Sequence, residues 1–147
     1  MEELIRLENI RVNQHASDWQ DAIRKAGDSL VKCGSINEQY LENCINSVKE
    51  LGPYIVLMPY FALAHSAPCA DVLKTDISIA TFKNDICFGS DNDPVRVIIC
   101  LACKDKESHI SKLSKIGEML MDEDRDLISK LKNCDSANAL YSILNEG

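Results

Sequence analysis

The chain has 147 residues, 46% of them hydrophobic, a size and content that fit one folded domain burying roughly 70% of its unfolded surface and argue against disorder. With 16 Lys and Arg against 23 Asp and Glu the formal charge is −7, which excludes a general attraction to nucleic-acid backbones or anionic lipid. No apolar run reaches the ~18 residues of a membrane span, and the opening MEELIRLENI lacks the order of a signal peptide, so a cytoplasmic protein without membrane insertion is expected.

A first strand is expected near residues 8–13. SDWQDAIRKAGDSLVKCG then opens with Ser17 and Gln20 at capping-box spacing. Trp19, Ala22, Ile23, Ala26 and Leu30 fall on one helical face, and Gly34 ends the pattern. SINEQYLENCINSVKELGP repeats the design: Ser35 and Glu38 frame the start, Leu41, Cys44, Ile45 and Val48 make the stripe, and Gly52-Pro53 stops it. YIVLMP predicts a short strand, followed by YFALA as an apolar loop segment. TDISIATFK alternates Ile77, Ile79 and Thr81 against polar or small neighbours and predicts a strand, with Asn84-Asp85 turning the chain into ICFG. Asp93-Pro94 opens a β-branched run, DPVRVIICLACKD, that predicts a buried strand. Helical stretches follow around residues 108–121, 122–131 and 136–144. Strands buried on both faces require helices on both faces. The expected fold is α/β, a three-layer α/β/α sandwich with a mixed β-sheet, in a single domain over residues 1–147.

Seven cysteines raise the question of a disulfide or metal framework, but the number is odd and the chain is large enough to fold without staples. The one suggestive pair is Cys100 and Cys103, with His109 six residues on. Positions three apart on a strand point to opposite faces, so these sulfurs cannot share an ion or bond to each other without a turn between them. Buried reduced thiols are expected, with no metal and no cofactor.

Residues 52–68, GPYIVLMPYFALAHSAP, place one histidine, His65, at the end of an almost uncharged run. Two readings apply to it. A lone histidine is most often a structural residue satisfied by a backbone carbonyl. A loop after a strand is also where a scaffold presents a chemical group, and His109, just past the buried strand, could meet His65 in the crevice where adjacent strands end. His15 precedes a helix start and is expected at the surface.

The same segment resembles the active-site stretch of the mannitol/fructose-type enzyme IIA domains of the bacterial sugar phosphotransferase system. The likeness is closest to the ascorbate-type branch around Gly52-Pro53-Tyr54, Pro59, Ala62-Leu63, His65 and Pro68. DWQDAI at residues 18–23, DNDPV at 91–95 and HISKLSKI at 109–116 extend the similarity over nearly the whole chain. The resemblance implies a phosphoryl-carrier domain. His65 would accept a phosphoryl group from the histidine-containing phosphocarrier protein and pass it to a cysteine of enzyme IIB, which serves a membrane IIC permease for a sugar or sugar acid such as ascorbate. His109 matches the family's second histidine and would bind the group in transit. The chemistry fits: a neutral imidazole carries a nitrogen lone pair near pH 7, and phosphoryl transfer asks mainly for in-line positioning and donors to the equatorial oxygens. Met58, Tyr60, Phe61 and Leu63 are candidates for an apolar docking patch. The alternative is a regulatory phospho-acceptor whose state a partner senses. That role more often comes with an output domain, for which 147 residues leave no room.

Three positions depart from the family pattern. Ala64 stands where Pro precedes the active histidine, Tyr60 where Gly is usual, and Ala67 where the ascorbate branch commonly has Arg. Without the Pro the loop is expected to be looser, and without the Arg a charge that could hold the phosphoryl group is gone.

Overall fold

The computed structural model describes residues 4–122 and 126–145, the His109 side chain excepted. Its centre is one five-stranded sheet of β1 (Ile10–Gln14), β2 (Val56–Met58), β3 (Tyr60–Ala64), β4 (Asp76–Ile86) and β5 (Val95–Ala102), in the order β1-β4-β5-β3-β2. β1 runs parallel to β4 and β3 parallel to β5, while the β4–β5 and β2–β3 pairs are antiparallel, so the sheet is mixed as expected.

Side-chain alternation along the strands sends two different sets of residues to the two faces. One face offers Ala62, Ala64, Ala80, Cys100 and Ala102, with Ile98 and Phe82 as larger groups among them, against α1 (Trp19–Lys32) and α2 (Glu38–Leu51). The other offers large ones, Phe61, Leu63, Ile77, Ile79, Val97, Ile99 and Leu101. These pack against Ile116 of α3 (Lys106–Met121), Leu127 and Leu131 of α4 (Leu127–Lys132), and Leu140 and Leu144 of α5 (Ala137–Asn145). Two cores on one sheet make the three layers. Cys100 lies in the first core and Cys103, the residue just past β5, in the second, so the sheet separates the two sulfurs.

Both expected stripes are buried: Ala22, Ile23, Ala26 and Leu30 on α1, and Leu41, Cys44, Ile45 and Val48 on α2. The helices pack closely because Gly27 has no side chain; a Cβ there would lie 2.2 Å from Leu41 Cδ2. Their caps fall inside the expected starts. Asp18, not Ser17, caps α1 by accepting the Asp21 amide at 2.8 Å, and Asn37, not Ser35, caps α2 through the Tyr40 amide. The Ser35 hydroxyl is used elsewhere, donating to Asp76 at 2.7 Å.

Two further expectations are corrected. YFALA is strand β3, not a loop; with both faces covered, its alternation of Phe61 and Leu63 against Ala62 and Ala64 is hidden in a uniformly apolar run. Asn84-Asp85 makes no hairpin turn, since β4 continues through it to Ile86. The Asn84 amide instead pairs with the backbone of Ala16, accepting its N–H at 3.2 Å and donating to its carbonyl at 2.8 Å.

Candidate active site

β3 and β5 run in the same direction, and their pairing ends at Ala64 opposite Cys100. The next residue, just past β3, is His65, half-buried, at the end of the sheet where β3 and β5 finish and β4 begins. This is the strand-exit position at which open sheets present functional groups.

Two contacts of the ring lie among the described residues. Nδ1 lies 2.9 Å from the Leu63 carbonyl, and the edge of the ring meets Tyr54 with centroids 5.7 Å apart and planes at 86°. A carbonyl can only accept, so Nδ1 holds the proton of a neutral ring and Nε2 carries the lone pair. The backbone-carbonyl bond expected of a purely structural histidine is therefore present. It selects the tautomer whose lone pair is on Nε2.

The segment after His65 is fastened to α2 and the turn preceding it. The Ser66 amide donates to the Tyr40 hydroxyl at 3.0 Å. Asp71 accepts from Asn37 at 2.8 Å and from Asn43 at 3.3 Å, and Val72 bridges to Ile36. The Leu73 and Lys74 amides both donate to the Ser35 carbonyl. Ala64 itself is fully buried and paired in the ladder. The looseness expected from losing a Pro at that position is thus offset on both sides of His65. Tyr40 has no place in the sequence reading of the site. It sits beside Leu41 on the apolar stripe of α2, and nothing in a single sequence separates it from an ordinary core aromatic.

The sequence-predicted docking patch does not assemble. Phe61 and Leu63 are core residues, Met58 packs on the same core, and Tyr60 is 36% exposed but begins the strand that His65 follows. Four residues of strand put Tyr60 roughly 13 Å from the His65 end. There its ring lies beneath Lys132, with Nζ 3.9 Å from the centroid.

His109 lies in the first turn of α3, whose start Asp105 caps through the Ser108 amide at 2.7 Å; its side chain is outside the described residues. α3 follows β5 after a short connection, so this helix start opens from the same strand edge as His65. His15 is exposed, as expected. Among the described residues, no three or more His, Cys, Asp or Glu are grouped to hold a metal ion, and no helix is long and apolar enough to cross a membrane.

The profile of the phosphoenolpyruvate-dependent sugar phosphotransferase system family EIIA 2 matches residues 3–147. The chain belongs to that family. This EIIA is a phosphotransferase component of a sugar phosphotransferase system. It is 30% identical over 139 residues to the mannitol-specific cryptic phosphotransferase enzyme IIA component of Escherichia coli K12, covering 95% of this chain and 93% of that one. It is also 30% identical over 141 residues to the ascorbate-specific EIIA component of Salmonella choleraesuis, covering 93% and 89%. Among solved structures, the Escherichia coli complex of mannitol enzyme IIA with phosphorylated mannitol enzyme IIB matches with a TM-score of 0.81 at 27% identity, over 95% of this chain and 96% of that one. The EIIA fold of this chain is therefore the mixed-sheet α/β fold of the mannitol enzymes. Mannitol- and ascorbate-specific relatives share the same identity to it, so identity does not choose between those branches.

Proposed function

We propose that His65 accepts a phosphoryl group from the histidine-containing phosphocarrier protein and hands it to a cysteine of enzyme IIB, feeding a membrane IIC permease for a sugar or sugar acid. The carrying observation is the Nδ1 contact to Leu63, which aims the lone pair of a strand-end imidazole through Nε2. Support for the onward step is that a solved relative was captured with its phosphorylated IIB.

In the first half-reaction the Nε2 lone pair forms an N–P bond in line with the bond that breaks, and the leaving pair returns to the imidazole nitrogen of the carrier. In the second, the IIB thiolate attacks phosphorus and the N–P electrons return to Nε2, restoring the tautomer. The protein supplies position and donors and no covalent chemistry beyond the imidazole. His109 is proposed to bind the phosphoryl oxygens in transit, at a helix start whose amide groups favour an anion. A fixed donor there stands in for the Arg that Ala67 replaces. The working site is cytoplasmic, where the phosphocarrier and enzyme IIB operate.

The test is incubation of the pure protein with phosphoenolpyruvate, enzyme I and the phosphocarrier. One acid-labile phosphoryl group is expected, absent from His65→Ala and present on a His15→Ala variant. Full labelling of His65→Ala overturns the assignment. With His109→Ala, the phosphorylated form is expected to persist while transfer slows on the order of 10²-fold, the usual loss for one such donor.

A further inference from the structure

Tyr40 is fully buried on the stripe of α2, yet its hydroxyl lies within bonding distance of β5 and of the segment that leaves β3 after His65. The hydroxyl proton goes to the Leu101 carbonyl of β5 at 2.7 Å, and its oxygen accepts the Ser66 amide at 3.0 Å. The Ser66 carbonyl is a poorer acceptor for the same proton, at 3.4 Å. β3 and β5 are directly paired up to Ala64 and Cys100. Just past that last pair, two residues beyond Ala64 and one beyond Cys100, a single phenol oxygen joins Ser66 to Leu101.

We propose that Tyr40 is a positioning residue for phosphoryl transfer at His65, its hydroxyl fixing where the chain leaves β3 and so where the imidazole points. The proposal rests on the reading that His65 receives the phosphoryl group. His65 is gripped from both sides: Leu63, two residues before it, takes the Nδ1 proton, and Ser66, immediately after it, is tied to β5 through the phenol. Rotation of the backbone at residue 65 would swing Nε2 off the line of attack, and both anchors oppose it. A phenol suits the task because it is donor and acceptor at once. Burial pushes its ionisation well above the ordinary tyrosine range, so it keeps its proton throughout the neutral range.

Removing the hydroxyl while keeping the ring, Tyr40→Phe, leaves the Ser66 amide and the Leu101 carbonyl without this partner. Phosphoryl transfer from the phosphorylated carrier, followed by rapid quench, is expected to slow by about 10- to 100-fold at saturating carrier, with its half-saturation concentration unchanged, as misplacement of a nucleophile predicts. Ile45→Val, on the same helix and buried in the same core, serves as the stability control and is expected to transfer at the wild-type rate. A wild-type rate for Tyr40→Phe, or an equal slowing in both variants, overturns the proposal. Amide hydrogen exchange on the unaltered protein tests the anchor without any transfer assay, and whether or not the variant folds. Ser66 should exchange markedly more slowly than Ala67, and equal rates overturn the proposal. If the label on the wild type maps away from His65 while Ser66 remains protected, it is the phosphorylation reading that fails, and the anchor stands as a structural link.

Discussion

Leu63 and His65 are joined across two residues of chain, the Leu63 carbonyl taking the Nδ1 proton of the imidazole at 2.9 Å. Leu63 is itself locked in the second core, so the acceptor cannot follow the ring if the ring turns. The contact therefore sets which ring nitrogen holds the proton and which carries the lone pair.

The phosphoryl group is accordingly expected on Nε2. Long-range proton–nitrogen NMR of the phosphorylated protein should show the N–P bond at Nε2 with the proton retained on Nδ1. A phosphoryl group on Nδ1 would require the Leu63 contact to break, and finding it there would refute the tautomer argument.

Tyr60 holds φ = 73° at the start of β3, a left-handed backbone that costs a residue with a Cβ about 1–2 kcal/mol. The family pattern usually has Gly there, which pays no such penalty. Replacing Tyr60 by Ala or by Gly removes the same ring and the same contact with Lys132. Only the Gly variant also relieves the backbone. Tyr60→Gly should be more stable than Tyr60→Ala by about 1 kcal/mol in urea unfolding, and the reverse order would show that the positive φ carries no strain.

Asp76 gathers Arg6 Nη2 at 2.6 Å, Ser35 Oγ at 2.7 Å, its neighbour's Ile77 amide at 2.9 Å and Asn9 Nδ2 at 3.1 Å. Burial pushes its ionisation up, but the Ser35 and Ile77 hydrogen bonds and the Arg6 guanidinium outweigh this and hold the carboxyl below its usual range. A depressed native value stabilises the fold fully above the unfolded value of about 3.9 and is lost as pH falls through the native value. Asp76→Asn should cost about 1–3 kcal/mol at pH 7, the range for a hydrogen-bonded buried charge. Its stability should fall less steeply than that of the wild type below about pH 4. Parallel acid curves for the two proteins would remove Asp76 from the account of acid unfolding.

The seven thiols should divide by burial. Cys33 and Cys87 are exposed, while Cys44, Cys100 and Cys103 are buried. Burial also pushes the Cys100 thiol up to about 12 and Cys103 up to about 11, which suppresses the reactive thiolate. A thiol reagent at pH 8 should label Cys33 and Cys87 in the native protein and reach Cys44, Cys100 and Cys103 only on unfolding. Mass mapping of the labelled peptides checks the order. Rapid native labelling of Cys100 would contradict its place beneath α1 and α2.

The sequence by itself determined the features that depend on one chain segment and one period. The stripes of α1 and α2 repeat every three to four residues, and the alternation of β5, carried one residue past its end, assigns Cys100 and Cys103 to opposite cores. Those patterns imply helices on both faces of a sheet, and His65 stood out as the one ionisable group ending an uncharged run. What tertiary structure decided is the use of each polar side chain, because a hydroxyl or amide bonds to whatever the fold brings within about 3 Å. Ser35 bonds Asp76 and leaves the cap to Asn37, and Asn84 bonds Ala16 and leaves β4 unturned. YFALA became a strand because β5 and β2 flank it and both its faces are covered, a circumstance no local pattern encodes. In the helix pattern Tyr40 is one more apolar residue, and only the packing of α2 across the ends of β3 and β5 carries its hydroxyl to Ser66 and Leu101.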